Sequence, residues 1–204
     1  MKKAKFWILM SVYLLLALAD GALTYYNTPD LSMEGNPLVA RLGLGWGALI
    51  VVNLLGLALL VVLFGFETFR YKTIYTKEVK LTRYCSQIVY HRPDKFWTGI
   101  MVKDFRPILA ILGFVMPYAL IVGRAIIVAE WVFITLRVPI DVYWRINQML
   151  FFGHVEVFAA VAVAIALMLY WMNREFKIQL PAARELLLSQ IGKGRAINVQ
   201  EDDE

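Results

Sequence analysis

The sequence predicts an all-α integral membrane protein: a four-helix bundle with both termini in the cytoplasm, a basic cytoplasmic loop between helices 2 and 3, and an amphipathic C-terminal helix. Three observations predict it. First, 60% hydrophobic residues against 18% charged over 204 residues, with a mean hydropathy of +0.60, exceed what a soluble domain carries. Second, four apolar runs, Phe6 to Tyr26, Gly43 to Phe66, Pro107 to Leu136 and Leu150 to Met172, each reach the ~20 residues that a helix needs to cross a hydrocarbon core. Third, Lys and Arg sort into alternating connections, as short cytoplasmic loops retain them. Continuous runs rather than short alternating segments exclude a β-barrel.

Taken in order, Lys2, Lys3 and Lys5 precede the first run and hold the N-terminus inside. Met1 to Ala19 also has the basic start, apolar middle and Ala17-Leu18-Ala19 ending of a cleavable signal, which would make Asp20 the new N-terminus. Apolar character resumes through Ala22, Leu23, Tyr25 and Tyr26, so the run is read as a span. The loop 67–106 carries nine basic residues, Arg70, Lys72, Lys77, Lys80, Arg83, Arg92, Lys95, Lys103 and Arg106, interleaved with Tyr71, Tyr75, Tyr84, Tyr90, Phe96 and Trp97. A basic, aromatic loop tethered to membrane helices suits anionic lipid headgroups rather than nucleic acid. Within it Val79, Leu81, Ile88 and Val89 suggest a stretch lying on the membrane surface. The division expected is a transmembrane domain over 1–173 and a cytoplasmic tail over 174–204. In the tail, Pro181 suits a helix start and Gly192 and Gly194 its end. The expected location is the cell inner membrane, multi-pass, with a homo-oligomer or a membrane protein as partner.

Small residues predict close helix approach in the second run, where Gly43 and Gly47 have GxxxG spacing beside Gly45 and Gly56. Trp46, Trp131 and Trp144 near one interface and Trp7, Trp97 and Trp171 near the other predict aromatic belts. Met116-Pro117 invites a kink. Cys85 is the single cysteine, so no intrachain disulfide forms. His91 and His154 fall on opposite sides of the predicted membrane, so no haem is expected.

Ionisable residues inside spans cost about 2.5 to 3.5 kcal/mol each near a helix centre and face the bundle interior or a cavity. Asp20, Arg124, Glu130, His154 and Glu156 are such residues, joined by Asn53 near mid-span and by Glu34 and Asn36 in the first external connection. They gather in the outer half. Asp20 and Thr24 share one helix face, with Tyr13 close to it. His154 and Glu156, two apart on a helix, are expected to diverge by about 200°. Glu156 shares its face with the small-residue seam Ala160 and Ala164. Arg124 needs a partner; Asp20 or Glu156 would make a buried ion pair with it, and the sequence alone does not choose among Asp20, Glu130 and Glu156.

The pattern Asp20-x-x-x-Thr24, then Glu34-x-Asn36-Pro37, resembles the signature of a family of small four-helix prokaryotic membrane proteins of unknown function. The resemblance covers the first helical hairpin and implies that Asp20, Thr24, Glu34 and Asn36 form a unit; it supplies no activity. Two functional readings follow. In one, Asp20, Thr24, Glu34, Asn36, Glu156 and Arg124 line an outer-leaflet pocket for a cation or polar ligand in a transport component or assembly subunit. In the other, Asp20, Glu34, His154 and Glu156 hold a divalent metal for an intramembrane hydrolase or transferase acting on a lipid or lipid-linked substrate.

Overall fold

The computed structural model describes residues 2–32, 43, 45–92 and 102–201, with side chains described for 3–189 of these. Every regular element among the described residues is helical: α1 (Lys2–Asn27), α2 (Trp46–Gly65) continued by a π-helical turn (Phe66–Arg70), α3 (Leu81–Tyr90), α4 (Arg106–Thr135), α5 (Asp141–Phe151) and α6 (Val155–Glu201). The stretches Lys3–Asn27, Trp46–Arg70, Arg106–Thr135 and Val155–Ser189 are long and apolar enough to cross a membrane, the pattern of a multi-pass membrane protein. The chain divides into two compact units, Met1–Arg70 with Leu112–Leu167, and Tyr71–Ile111 with Met168–Glu204.

In the first unit α1 and α4 run parallel and α2 runs against both. Lys5 lies 4.8 Å from the Phe114 ring centroid and Asn27 Nδ2 donates to Thr135 Oγ1 at 2.8 Å, while Phe6 meets Phe64 and Tyr25 meets Trp46. The core is Phe6, Met10 and Tyr13 of α1 with Leu60 and Phe64 of α2, packed by Met116, Leu120 and Ile121 of α4. Close approach is made by α4, not by the glycines of α2. A Cβ on Gly113 would stand 2.1 Å from the Leu63 carbonyl oxygen, and one on Gly123 would touch Ala160 Cβ at 3.6 Å, whereas Gly43, Gly45, Gly47 and Gly56 have nothing within 4 Å. Gly43 has φ +63 and precedes the helix, so the Gly43–Gly47 spacing is not a helical one. Pro117 is fully buried inside a continuous α4, and it offers no N–H to the Gly113 carbonyl one turn earlier.

Two expected boundaries move. The fourth apolar run begins at Val155 rather than Leu150, because Phe152 (φ 53) and Gly153 (φ 81) turn the chain left-handed. The residues before them form the separate short helix α5, closed by the Asn147 carbonyl, which accepts from Phe152 and Gly153. Pro181 does not start a new helix. It sits within α6, which also runs through Gly192 and Gly194.

The second unit explains why α6 continues. Trp171, Glu175, Gln179 and Ala183 recur every fourth residue and are all buried, an α-helical stripe. Along it lies the extended segment 71–80. Thr73 Oγ1 donates to Glu175 Oε2 at 2.8 Å, Gln179 Nε2 donates to the Glu78 carbonyl at 2.8 Å, and Gln179 Oε1 accepts from Thr76 N–H. Gln179 thus substitutes for a strand neighbour of the segment's backbone. Tyr84, Cys85 and Ile88 of α3 form the apolar part with Met172 and Phe176. Ile88 and Val89 therefore cover protein, not the membrane surface, while Val79 and Leu81 remain exposed. Trp171 is fully buried against Tyr71 rather than set in an interfacial belt. These contacts cut across the division expected at residue 173. Asp104 accepts from the Arg106 backbone and guanidinium, and that guanidinium holds its carboxyl below the usual range.

Two expectations follow. Gly113→Ala forces the Leu63 backbone to move and should cost about 1 to 3 kcal/mol as overpacking, while Gly123→Ala, meeting only ordinary contacts, should be near neutral; thermal unfolding in mild detergent compares them. Burial raises the Cys85 thiol to about 11, so the folded protein should resist maleimide at neutral pH, react increasingly as pH rises toward that value, and label rapidly once denatured.

Candidate intramembrane polar site

Four residues from three helices, all within the spans whose outer half was expected to gather the polar side chains, meet in one cluster. Asp20 and Tyr13 come from α1, Asn53 from α2 and Arg124 from α4. Arg124 Nη1 donates to Asp20 Oδ2 at 2.9 Å, Arg124 Nη2 donates to Asn53 Oδ1, and the guanidinium lies 5.0 Å from the Tyr13 ring centroid. Asn53 Nδ2 donates in turn to the Leu49 carbonyl of its own helix at 2.8 Å. The amide is thereby fixed with its oxygen toward Arg124. The two charged side chains are 16% and 21% exposed, so the pair is largely withdrawn from its surroundings and its attraction is little screened.

The local sequence makes this arrangement possible. Asp20 lies seven residues after Tyr13, two helical turns on nearly the same face, and Asn53 sits in an otherwise apolar α2. Beside the cluster is a recess of about 350 Å³, lined by Tyr13 of α1, by Val52, Asn53, Gly56, Leu59, Leu60 and Leu63 of α2, and by Met116, Leu120 and Arg124 of α4. Its polar atoms come from one end and its remaining walls are apolar.

The other expected site residues are distributed differently. Thr24 is buried and its carbonyl accepts from Thr28 N–H at 2.8 Å, near the close of α1. Glu34 and Asn36 lie outside the described residues. His154 and Glu156 do meet, at 3.3 Å between Nδ1 and Oε1. The expected divergence fails because His154 precedes the first residue of α6, so helical geometry does not govern its direction. Glu156 pairs there and not with Arg124. The Glu156 carbonyl and Ala160 lie against Gly123, so that end of the small-residue seam is used. Glu130 accepts from Tyr143 of α5, whose hydroxyl is raised by burial first and by the Glu130 hydrogen bond second.

For a divalent metal, the donors must converge. Among the described residues no three His, Cys, Asp or Glu side chains do, and Asp20 is already bound to Arg124. The described part of the set Asp20, His154 and Glu156 does not fit a metal ion. Sequence reasoning passed over Tyr143, Asn147, Glu175 and Gln179. The four-residue period from Trp171 to Ala183 was a signal for the last two, hidden by ending the span at Met172. No family model, curated protein or solved structure matches the chain.

The pairing predicts strong non-additivity. Asp20→Asn or Arg124→Gln alone leaves one charge unmatched and should destabilise by about 3 to 5 kcal/mol, and the double variant should recover much of that loss. Thermal unfolding in detergent reads the cycle; equal and additive losses would show that the two side chains do not act as a pair.

Proposed function

We propose that this is a non-enzymatic inner-membrane protein, a four-helix bundle with both termini in the cytoplasm, in which the Asp20, Asn53 and Arg124 cluster forms the polar end of a site for one polar or amphiphilic ligand. It serves as a transport component or an assembly subunit of a membrane complex. The observation that carries this reading is the open recess against Arg124, whose guanidinium is oriented by Asp20 and Asn53. A guanidinium held this way presents donors without net charge, which disfavours a bare cation and suits an acceptor-bearing ligand. The basic loop 67–106 supplies attraction to anionic headgroups, at about 1 kcal/mol per Lys or Arg near the surface.

The topology and the ligand are tested separately. Single cysteines at Asp30 or Arg137, in a Cys85→Ser background, should react with an impermeant maleimide on intact cells, and those at Lys3 or Lys80 only after permeabilisation; the reverse pattern would overturn the orientation. Native mass spectrometry of protein purified in mild detergent should show one retained mass that is lost in the Asp20→Asn/Arg124→Gln variant. A wild-type spectrum with no retained mass would sink the ligand site.

A further inference from the structure

Helix α5 arranges its residues in the reverse of a helix packed on a protein in water, which buries apolar side chains and exposes polar ones. The side turned to the bundle is polar. The Tyr143 hydroxyl donates to Glu130 of α4, and the buried Asn147 accepts through its side-chain oxygen from the Val155 N–H at the start of α6. The exposed positions, by contrast, include Val142, Ile146, Met149 and Leu150, with Val142 and Met149 each 72% exposed.

Helical phase sorts the residues of α5 into three stripes. At about 100° per residue, Tyr143, Asn147 and Phe151 form the first, and Phe151 stacks at an angle on Phe158 of α6. Val142, Ile146, Met149 and Leu150 form the second, and the exposed Asp141, Arg145 and Gln148 form the third. The stripe centres lie about 120° apart. A helix lying in the plane of a membrane surface beside a bundle needs three such sides, one for protein, one for acyl chains and one for water. Connectivity holds α5 at that level. Residues 136–140 join it to α4 and 152–154 to α6, and both neighbours are apolar enough to cross a membrane. Tyr143 reaches Glu130, five residues inside the end of α4, a rise of about 7.5 Å. That lies within the ~5 to 10 Å to which an interfacial helix sinks its apolar face.

We propose that α5 is an interfacial anchor whose stripe of Val142, Ile146, Met149 and Leu150 is covered by the acyl chains of the adjoining leaflet. Asp141 and Arg145 are the only charged residues of the helix, and their charges cancel. Apolar burial therefore holds it, and anionic headgroups add nothing. The anchor requires that α4 and α6 cross the membrane; it depends neither on which side α5 occupies nor on a ligand at Arg124.

The test places single spin-labelled cysteines at Ile146, Met149, Arg145 and Gln148 of the full chain, in a Cys85→Ser background, in phosphatidylcholine vesicles. Collisions with oxygen, which concentrates among acyl chains, are compared with those of a water-soluble nickel chelate. Val161, exposed on α6, and Lys80, exposed outside the spans, serve as references. Labels at 146 and 149 should favour oxygen as at 161, and those at 145 and 148 should favour nickel as at 80. Replacing part of the phosphatidylcholine by phosphatidylglycerol should leave the pattern unchanged; a marked anionic dependence would overturn the neutral anchor. Nickel contact at 146 and 149 would place the stripe in water and overturn the proposal. Shielding from both reagents would show protein on the stripe, a second copy or another segment, and would overturn it as well. The unmodified chain guards against variants that misfold. A phosphatidylcholine with a diazirine high on its acyl chain should label Val142, Ile146, Met149 or Leu150 but not Arg145 or Gln148. Label on α6 around Val161 with none on 142–150 would overturn the anchor whatever the variants do.

Discussion

A guanidinium inside an apolar span is the constraint on which the first unit depends. Arg124 cannot be left alone in hydrocarbon, and the chain meets that demand from two other helices: a carboxylate from α1, an amide oxygen from α2 and an aromatic face from α1. Each partner has a different tolerance. The carboxylate sets the charge balance, the amide sets direction, and the Tyr13 face fills the remaining side at little geometric cost. Satisfying one side chain therefore fixes the mutual register of α1, α2 and α4. Asn27 and Thr135 repeat that register at the ends of α1 and α4.

Fixing three helices around a polar centre leaves the space beside it to be decided by side-chain size. Gly113 brings α4 against the Leu63 carbonyl, closing one part of the α2 and α4 contact, while Gly56 leaves a gap farther along. The same residue type thus closes one place and opens another, because what matters is whether backbone or empty space faces it. A recess with donors at one end and methyl groups along the rest follows from this combination.

The second unit is held by a different device. Glu175 and Gln179 are buried polar residues of α6 that satisfy the hydroxyl of Thr73 and the backbone of Thr76 and Glu78. An extended segment without a strand partner would otherwise leave its amide and carbonyl groups unmet. The helix supplies them from its side chains, and the Pro181 interruption is tolerated because residues on both sides of it, Gln179 and Ala183, are buried in the same stripe.

Much of this was legible in the residues alone. Hydropathy and run length determined the four helices long enough to cross a membrane, since those properties are local sums over about 20 residues. The cost of intramembrane charge singled out Asp20 and Arg124 before any contact was known, and left Asp20, Glu130 and Glu156 open as the partner. Only tertiary structure chose Asp20 among them, because partner choice depends on register between helices far apart in sequence. It also decided that His154 meets Glu156, since one residue at a helix boundary escapes the periodic rule. The recess and the Glu175 and Gln179 stripe belong to the same class. A cavity is a relation among three helices, and a buried glutamine looks polar and exposed until the segment it binds is placed beside it.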